Sequence, residues 1–426
     1  MALPGFRDFY PADCAFRNAI FAKWRDVAHR YGFVEYDGPP LEPLDLFTKK
    51  SGQEIVTQLY NFTDKGEREV ALRPEMTPTL ARLVTARHKD FKKPLKWFSI
   101  PQVFRYERQQ KGRLREHYQF NCDIIGEAGL EADIELIALV IDTLRAFGLT
   151  EKDFVVRLSD RQFWTDFMNE RNVPEEERYA VIQAIDKSER EPREKTAEKL
   201  GRLATEVFAI LDDAGSAKSE RLDTVETGLR YRGLPDYVKR DFTVVRGLAY
   251  YTGVVFEVFD RSGEFRAIAG GGRYDNLLKN LGEVDLTALG FGMGDVVLGE
   301  ILKRSLTDYT EKNCLDFYVA IADEQYRPQA MALVQKLRDH GDWVDYPIKS
   351  IKLGKQLEAA TERISTFICI VGPESGEGNV QLKKTRTRET KIVPVDRIFE
   401  FLPIENWGQI PEQSEPNDSH SNNPSS

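Results

Sequence analysis

Residues 104–126, FRYERQQKGRLREHYQFNCDIIG, carry the densest cluster of charged side chains on strand-like sequence in this chain. Two alternating segments typical of β-strands flank the polar turn QQKG at residues 109–112, so the stretch predicts an antiparallel hairpin with a long loop. Its cations are Arg105, Arg108, Lys111, Arg113 and Arg115. Two interpretations stay open. One is a solvated hairpin with cross-strand ion pairs, and the other is a phosphate clamp, because arginine offers a bidentate fork to phosphoryl oxygens.

The segments around this hairpin predict an α+β fold. Helices are predicted at Asp13–Tyr31 and Glu131–Phe147, with short alternating strands between them rather than a doubly wound order. Residues 160–235 are charged and helical, which predicts a helical insertion before strand-rich sequence resumes at Thr243. After a polar stretch at residues 303–313, a βαβ rhythm predicts a separate α/β domain.

The composition is that of a globular protein of two to four domains. The chain has 426 residues, and 60 Lys plus Arg stand against 69 Asp plus Glu, a formal net charge of −9. That average argues against a nucleic-acid partner, but residues 105–119 carry five cations and two acids, a local +3. The average charge therefore does not exclude contact with RNA through a few basic patches.

Targeting signals and metal motifs are missing from the sequence. No apolar run approaches the ~20 residues that span a bilayer, and Met1–Tyr10 has no signal-peptide core, so we expect a cytoplasmic protein without membrane contact. The cysteines are far apart and HExxH spacing is absent, so no disulfide framework and no metal site are predicted. Buried thiols are expected instead, at Cys14, Cys122, Cys314 and Cys369.

Three further segments carry candidate site residues. VALRPEMTPTLARL (70–83) places Glu75 and Thr77 at a strand-to-helix corner, which suits either a capped helix start or recognition of an ammonium or hydroxyl group. VVRGLAYYTGVVFEV (244–258) places Arg246 near two tyrosines, and in a strand only one of them would face a given pocket. LGFGMGDVVLGEIL (289–302) has alternate glycines that leave room for a flat ring or allow a tight helix–sheet crossing.

Together and in this order, the segments resemble the histidyl-tRNA synthetases, a family of class II aminoacyl-tRNA synthetases, from Leu3 to about Leu402. PGFRDFYP (4–11) is similar to the opening segment of the family, and the first helix with Pro39 is similar to class II motif 1. FRYERQQKGRLREHYQ resembles motif 2, and GFGMGDVVL occupies the place of motif 3. RGLAYYTG and GGGRYD resemble the two signatures of the histidine enzymes.

The resemblance implies an antiparallel class II sheet flanked by helices, with a helical insertion and a C-terminal α/β anticodon-binding domain. It also implies ATP-dependent ligation of L-histidine to tRNA(His) through a histidyl-adenylate, with Mg²⁺ bridging the β- and γ-phosphates, in a homodimer. The implied domains are the first part of the catalytic domain, the insertion, the second part of the catalytic domain, the anticodon-binding domain and a disordered tail, at residues 1–159, 160–240, 241–304, 314–403 and 404–426.

The resemblance also assigns roles to single residues. Arg105 and Arg246 are the implied catalytic residues, and Arg113 joins them in binding ATP. The implied histidine-binding residues are Glu75, Thr77, Gln119, Asp123, Tyr250 and Tyr251. In that set Asp123 and Tyr251 meet the two imidazole nitrogens. The implied tRNA-binding residues are Arg108, Gln110, Lys383 and Lys384.

Three positions depart from the family pattern. Asp123 stands where many members have Glu, Ala249 where the usual signature has Asp, and Val297 where class II enzymes usually carry an arginine against ATP. Either another cation substitutes, or ATP is held differently, or activity is impaired; we favour substitution because the other phosphate-facing arginines are present.

Two alternative functions stay open at this stage. One is a histidine-sensing regulatory subunit of ATP phosphoribosyltransferase, and the other is a tRNA-binding or signalling module without enzyme activity. The regulatory proteins lack a C-terminal domain such as the one that residues 315–402 resemble.

Overall fold

The computed structural model describes residues 2–48, 57–107, 112, 114–215, 217–246, 250–305 and 315–401. The chain divides into two compact units, residues 1–310 and 311–426. No helix within the described ranges is both long enough and apolar enough to cross a membrane.

The framework of the first unit is a nine-stranded sheet within the described residues, accompanied by a smaller three-stranded sheet. The strands of this unit are β1 (Val34–Glu35), β2 (Leu41–Pro43), β3 (Tyr60–Thr63), β4 (Glu69–Leu72), β5 (Leu95–Ser99), β6 (Gln102–Phe104), β7 (Glu116–Ile125), β8 (Phe154–Asp160), β9 (Val238–Arg240), β10 (Val254–Asp260), β11 (Ala269–Arg273) and β12 (Ala288–Gly294). The large sheet runs β1-β5-β7-β12-β11-β10-β8-β9, with β6 paired to β7, and the small sheet runs β2-β4-β3. All described pairs in the large sheet are antiparallel except β1 with β5 and β8 with β9.

Helices pack around this sheet. They are α1 (Pro11–Arg30), α2 (Asp45–Thr48), α3 (Thr77–Arg87), α4 (Leu130–Ala146), α5 (Arg161–Glu170), α6 (Glu175–Lys187), α7 (Arg193–Leu200), α8 (Ala204–Asp212), α9 (Glu220–Tyr231), α10 (Leu277–Gly282) and α11 (Asp295–Ser305), and 3₁₀ turns lie at His88–Asp90, Gly201–Leu203 and Pro235–Tyr237. The apolar positions of α1 recur every three or four residues, so Ile20, Trp24 and Val27 face the sheet. Trp24 stacks on Phe120 of β7 with ring centroids 5.4 Å apart.

The predicted arms of the hairpin at residues 104–126 are present as β6 and β7, which pair in antiparallel fashion. The predicted turn at 109–112 lies outside the described residues except for Gly112. Helices α5 to α9 lie between β8 and β9 along the chain. The strand β9, which the charged and helical sequence does not indicate, joins the edge of the large sheet beside β8.

The second unit has its own sheet and its own core. Its strands are β13 (Phe317–Ile321), β14 (Val344–Asp345), β15 (Phe367–Val371), β16 (Asn379–Lys384) and β17 (Thr390–Pro394), in the order β14-β13-β15-β16-β17. Its helices are α12 (Arg327–His340) and α13 (Leu353–Glu362), with 3₁₀ turns at Glu324–Tyr326, Pro373–Ser375 and Val395–Phe401. The predicted fold class is confirmed: a large, mainly antiparallel sheet is flanked by helices, and a separate α/β unit follows.

The cysteines follow their predicted burial only in part. Cys122 and Cys369 are buried free thiols, whereas Cys14 is half-buried on α1. Cys314 lies outside the described residues. The prediction of burial is wrong for Cys14, since its side chain lies near the start of α1, before the first fully buried positions of that helix.

Candidate active site

Two adjoining cavities lie where β7, β11 and β12 run side by side. The inner cavity has a volume of about 60 Å³ and includes Glu75, Thr77, Asp123, Tyr250, Tyr251 and Tyr274 in its lining. The outer cavity has a volume of about 210 Å³ and includes His117, Arg266, Val296 and Val297. Both are lined by Arg105, Gln119, Arg246, Gly270 and Gly292. The fold thus brings together eight side chains that the sequence singled out, namely Glu75, Thr77, Arg105, Gln119, Asp123, Arg246, Tyr250 and Tyr251.

Glycines on β11 and β12 make the room for these side chains. A Cβ added at Gly292 would lie 2.6 Å from Nε2 of Gln119, and one added at Gly290 would overlap Oδ1 of Asp123. A Cβ at Gly270 would lie 2.5 Å from Nη1 of Arg246. The alternate glycines therefore leave space over the sheet for the polar side chains of the site.

Glu75 presents a buried carboxylate to the inner cavity. It follows β4 at the corner before α3, and its Oε2 accepts a hydrogen bond of 3.0 Å from the hydroxyl of Tyr250. Its Oε1 is buried and has no hydrogen-bond partner among the described residues. Burial raises the pKa of Glu75, although Arg105, Tyr250 and Arg246 oppose the shift. Because buried polar atoms are nearly always paired, the open oxygen indicates a ligand that carries a donor, such as an ammonium group.

Arg246 presents the complementary charge. Its guanidinium forms an ion pair with Glu257 of β10 and lies over the ring of Tyr251, with Cζ 5.7 Å from the centroid. Its Nε is buried and has no hydrogen-bond partner among the described residues. The side chain of Arg105 is fixed by a hydrogen bond of 2.9 Å from its Nε to the carbonyl oxygen of Pro74. Two arginines at the junction of the cavities suit an anion that spans both.

Asp123 lines the inner cavity and is buried. Its Oδ1 accepts a hydrogen bond from the hydroxyl of Tyr274. Burial raises the pKa of Asp123 to about 7, although the hydrogen bond from Tyr274 opposes the shift. A carboxyl group that titrates near neutrality can accept from a ring N–H, or share a proton with a base of similar pKa.

The two tyrosines correct one sequence prediction. A strand was expected from Thr243, with Tyr250 and Tyr251 on opposite faces, but β10 begins only at Val254. Tyr250 and Tyr251 precede that strand, and both rings line the inner cavity with their centroids 5.0 Å apart. Arg246 has a positive φ of 58°, a left-handed conformation that an extended strand does not allow. The prediction that only one tyrosine shares the pocket is therefore wrong.

Several predicted residues are placed elsewhere or lie outside the described part of the chain. Arg108, Gln110 and Arg113 belong to the loop between β6 and β7 that the structure does not describe, and Ala249 is likewise outside it. Lys383 and Lys384 are half-buried neighbours on β16 of the second unit. Because they are adjacent in a strand, their side chains lie on opposite faces of that sheet.

Other residues of the site receive no role from the sequence motifs, although several of them lie within the quoted segments. Tyr274 and Glu257 contact predicted site residues only through the pairing of β10, β11 and β12, and Arg266 is a single arginine in a loop. Arg7, near the N-terminus, donates to Glu116 at 2.7 Å and to Asp295 at 2.9 Å. Asp295 begins α11 beside the outer cavity, and its Oδ1 accepts from the backbone N–H of Tyr118 at 2.9 Å. The N-terminal segment therefore braces β7 and α11.

Comparisons with known proteins agree with this geometry. A family model described as histidyl-tRNA synthetase matches residues 5–294, and a model described as anticodon binding domain matches residues 316–404. A histidine–tRNA ligase of Opitutus terrae is 45% identical, with 93% of this chain and 96% of the relative covered. One of Thermoplasma volcanium is 38% identical, with 94% and 97% covered. The solved histidyl-tRNA synthetase of Nostoc sp. PCC 7120, 24% identical, has the same fold with a TM-score of 0.77, covering 94% of this chain and 98% of that one. The chain belongs to the histidyl-tRNA synthetase family.

Proposed function

We propose that the protein ligates L-histidine to tRNA(His) in two steps, with histidine in the inner cavity and ATP in the outer cavity. The observation that carries this proposal is the set of three buried groups that face one small space. They are the open oxygen of Glu75, the open Nε of Arg246 and the near-neutral carboxyl group of Asp123. These groups complement the ammonium, carboxylate and imidazole groups of one histidine molecule.

Recognition of the imidazole depends on Asp123 and Tyr251. A neutral imidazole has one donor and one acceptor nitrogen, so a carboxylate accepts from the first and a phenol donates to the second. An apolar amino acid of similar size would leave both protein groups unpaired, which is how a polar pocket rejects such analogues by large factors. Glu75, with Thr77 and Gln119 beside it, holds the ammonium end.

Activation takes place at the junction of the two cavities. One carboxylate oxygen of histidine attacks the α-phosphorus of ATP, the bond from that phosphorus to the bridging oxygen breaks, and pyrophosphate leaves with the electron pair. Arg105 and Arg246 line both cavities, so they can hold the carboxylate and the α-phosphate together and stabilise the charge that develops between them. Arg113, in the loop outside the described residues, is proposed to contact the other phosphates.

Mg²⁺ fits this site as a companion of ATP. Among the described residues no three His, Cys, Asp or Glu side chains lie close enough together to hold a metal ion. Mg²⁺ commonly keeps several waters and binds substrate phosphates with one or two carboxylates. Bound together with ATP, Mg²⁺ would supply positive charge that stabilises the leaving pyrophosphate.

The remaining parts of the proposal concern the partners and the domains. The second unit, which matches the anticodon binding model, is proposed to bind tRNA(His) at residues 314–403, with the basic loop of motif 2 at the acceptor end. The proposed catalytic parts are residues 1–159 and 241–304, and residues 160–240 form the insertion. We further propose a homodimer in the cytoplasm. The regulatory-subunit alternative is less well supported, because the catalytic arginines and the anticodon-binding match are both present.

The test is histidine-dependent exchange between ATP and pyrophosphate, followed by charging of total tRNA with each of the twenty amino acids. We expect exchange and charging with histidine alone. The absence of exchange at millimolar substrates would refute the enzymatic function, and charging by another amino acid would refute the pocket assignment. Arg246→Ala should reduce adenylation by about a hundredfold or more while leaving the fold intact.

A further inference from the structure

The wall of the outer cavity is apolar at a position where a cation is expected. Val297, in the first turn of α11, lines this cavity, and its side chain is 7% exposed and belongs to the main apolar core. A Cβ added at Gly112 of the motif 2 loop would lie 3.4 Å from its Cγ2, so the loop backbone comes close to this wall. Class II enzymes usually carry an arginine against ATP at this place in motif 3. Position 297 supplies no charge.

Arg266 lines the same cavity from the connection that precedes β11. The antiparallel register pairs Ala269 of β11 with Met293 of β12. The pairing continues one step further, because the backbone N–H of Gly294 donates to the carbonyl oxygen of Ile268 at 3.4 Å. Position 266 lies two residues before Ile268 in the connection that leads into β11. Arg266 and Val297 accordingly line one cavity from facing segments.

The position of Arg266 within the site differs from that of the other arginines. Arg105 and Arg246 line both cavities and therefore lie at their junction. Among the described arginines and lysines, Arg266 alone lines the outer cavity and not the inner one. A triphosphate nucleotide whose α-phosphate lies at the junction must extend along the outer cavity, and Arg266 then meets the part of ATP that is remote from histidine.

We infer that Arg266 binds ATP and supplies the cation that motif 3 lacks at Val297. The inference rests on the proposed function, and it concerns only the outer cavity. In this chain the cation comes from the connection between β10 and β11 and not from the start of α11. A guanidinium there can form charge-assisted hydrogen bonds with phosphoryl oxygens or stack on the adenine ring, as an arginine at position 297 would.

The test compares Arg266→Ala, Arg266→Lys and a matched control, Arg261→Ala. Arg261 lies in the same connection between β10 and β11, but its Nε donates to the carbonyl oxygen of Glu151 at 2.7 Å, and it does not line the cavity. In the exchange assay, Arg266→Ala should raise the KM for ATP by about ten- to a hundredfold, the usual cost of one charge-assisted hydrogen bond. The KM for histidine should stay within about twofold, Arg266→Lys should recover part of the ATP affinity, and Arg261→Ala should match the unaltered protein.

Direct titration of ATP by calorimetry separates this inference from the proposed function. If the unaltered protein catalyses exchange but Arg266→Ala binds ATP as tightly as Arg261→Ala does, the inference is wrong and the proposed function stands. If the unaltered protein shows no exchange, the proposed function fails. The calorimetric comparison of the two variants then still decides whether Arg266 holds ATP.

Discussion

The guanidinium of Arg246 lies directly against Gly270, so closely that a Cβ at position 270 would come within 2.5 Å of Nη1. Gly270→Ala should therefore displace this guanidinium from the junction of the cavities. The atom it meets is the end of a flexible side chain, so the sheet can keep its structure. We expect the rate of exchange to fall by at least about tenfold, with little change in melting temperature.

Gly271, the next residue, offers a matched comparison for Gly270→Ala. A Cβ at Gly271 would overlap the backbone carbonyl oxygen of Gly290, which cannot move aside as a side chain does. Gly271→Ala should therefore lower the melting temperature, whereas Gly270→Ala should lower activity. Equal loss of stability in the two variants would contradict the role given to Gly270.

The hydrogen bond from Tyr250 to Glu75 predicts a selective effect on histidine binding. Tyr250→Phe removes the donor to Oε2, so the carboxylate that receives the ammonium group loses its support. We expect the KM for histidine to rise about tenfold and the KM for ATP to stay unchanged, because one hydrogen bond to a charged group is lost. Tyr231→Phe, at a ring that is 87% exposed, is the control. A similar rise in both KM values would point to a general distortion instead.

Asp123 predicts a stability that depends on pH. The folded state raises its pKa from 3.8 to about 7, so the native protein binds this proton more tightly than the unfolded chain does. Ionising the group therefore costs stability as the pH rises from about 4 to 7, up to about 4 kcal/mol, and the cost is constant at higher pH. Asp123→Asn avoids this cost and keeps an oxygen for Tyr274.

Thermal unfolding of both proteins across that pH range checks the prediction. Asp123→Asn should match the unaltered protein near pH 4 and exceed it in melting temperature at pH 8, while its exchange activity with histidine is much reduced. If the difference in stability between the two proteins does not grow between pH 4 and 7, the folded state does not raise the pKa of Asp123 and the prediction is wrong.

The ion pairs of Arg7 predict a structural role beside the outer cavity. Glu116 and Asp295 are buried, so Arg7→Ala leaves two carboxylates without their cation, at a cost of about 2 to 4 kcal/mol in the free energy of unfolding. Adding Asp295→Asn should return part of that cost, because one buried charge is then removed. Urea denaturation of the two single variants and the double variant measures the coupling. If the losses in the free energy of unfolding of the two single variants simply add in the double variant, Arg7 and Asp295 are not coupled and the prediction is wrong.

The two lysines of β16 are expected to differ in their contribution to tRNA binding. Lys383 shares a face of the sheet with Ile368, which packs with Ala360 of α13, whereas Lys384 lies on the opposite face. That helix also carries Lys355. We expect Lys383→Ala to raise the KM for tRNA and to reduce its salt dependence by about one unit of log–log slope, and Lys384→Ala to have little effect. Neither variant should alter exchange without tRNA. Equal effects of the two substitutions on the KM for tRNA would contradict the assignment of the tRNA-binding face to Lys383.

The two helices that the sequence predicts in the first unit are observed, because their apolar residues recur every three or four positions. The predicted helix Asp13–Tyr31 is observed at Pro11–Arg30, and Glu131–Phe147 at Leu130–Ala146. Strands were predicted less well, because an alternating pattern of apolar and polar residues also occurs in segments that are not strands. The segment that starts at Thr243 alternates like a strand, but Arg246 has a left-handed backbone and both tyrosines line one cavity.

The sequence predicts those residues of the candidate site that lie within recognisable motifs. The segments themselves single out Glu75 and Arg246, the resemblance to the family adds Asp123, and the fold brings the three together. Arg7 lies in the quoted segment PGFRDFYP but receives no role there, and Arg266 could not be named, because an arginine in a loop gives no periodic signal. Only the register of distant strands and the chain's tertiary contacts place them beside β7 and α11.

The bond between Arg7 and Asp295 joins positions 288 residues apart, and β12 lies between β7 and β11 in the sheet. A ribosome that adds about 5 to 20 residues per second needs roughly 15 to 60 s to bridge that gap. In the part of this time between the synthesis of β7, which ends at Ile125, and that of β12, which begins at Ala288, β7 lacks this partner and the nascent chain offers an open strand edge to other chains. We therefore expect the yield of folded protein to depend on protection of that edge during translation as well as on the stability of the finished fold.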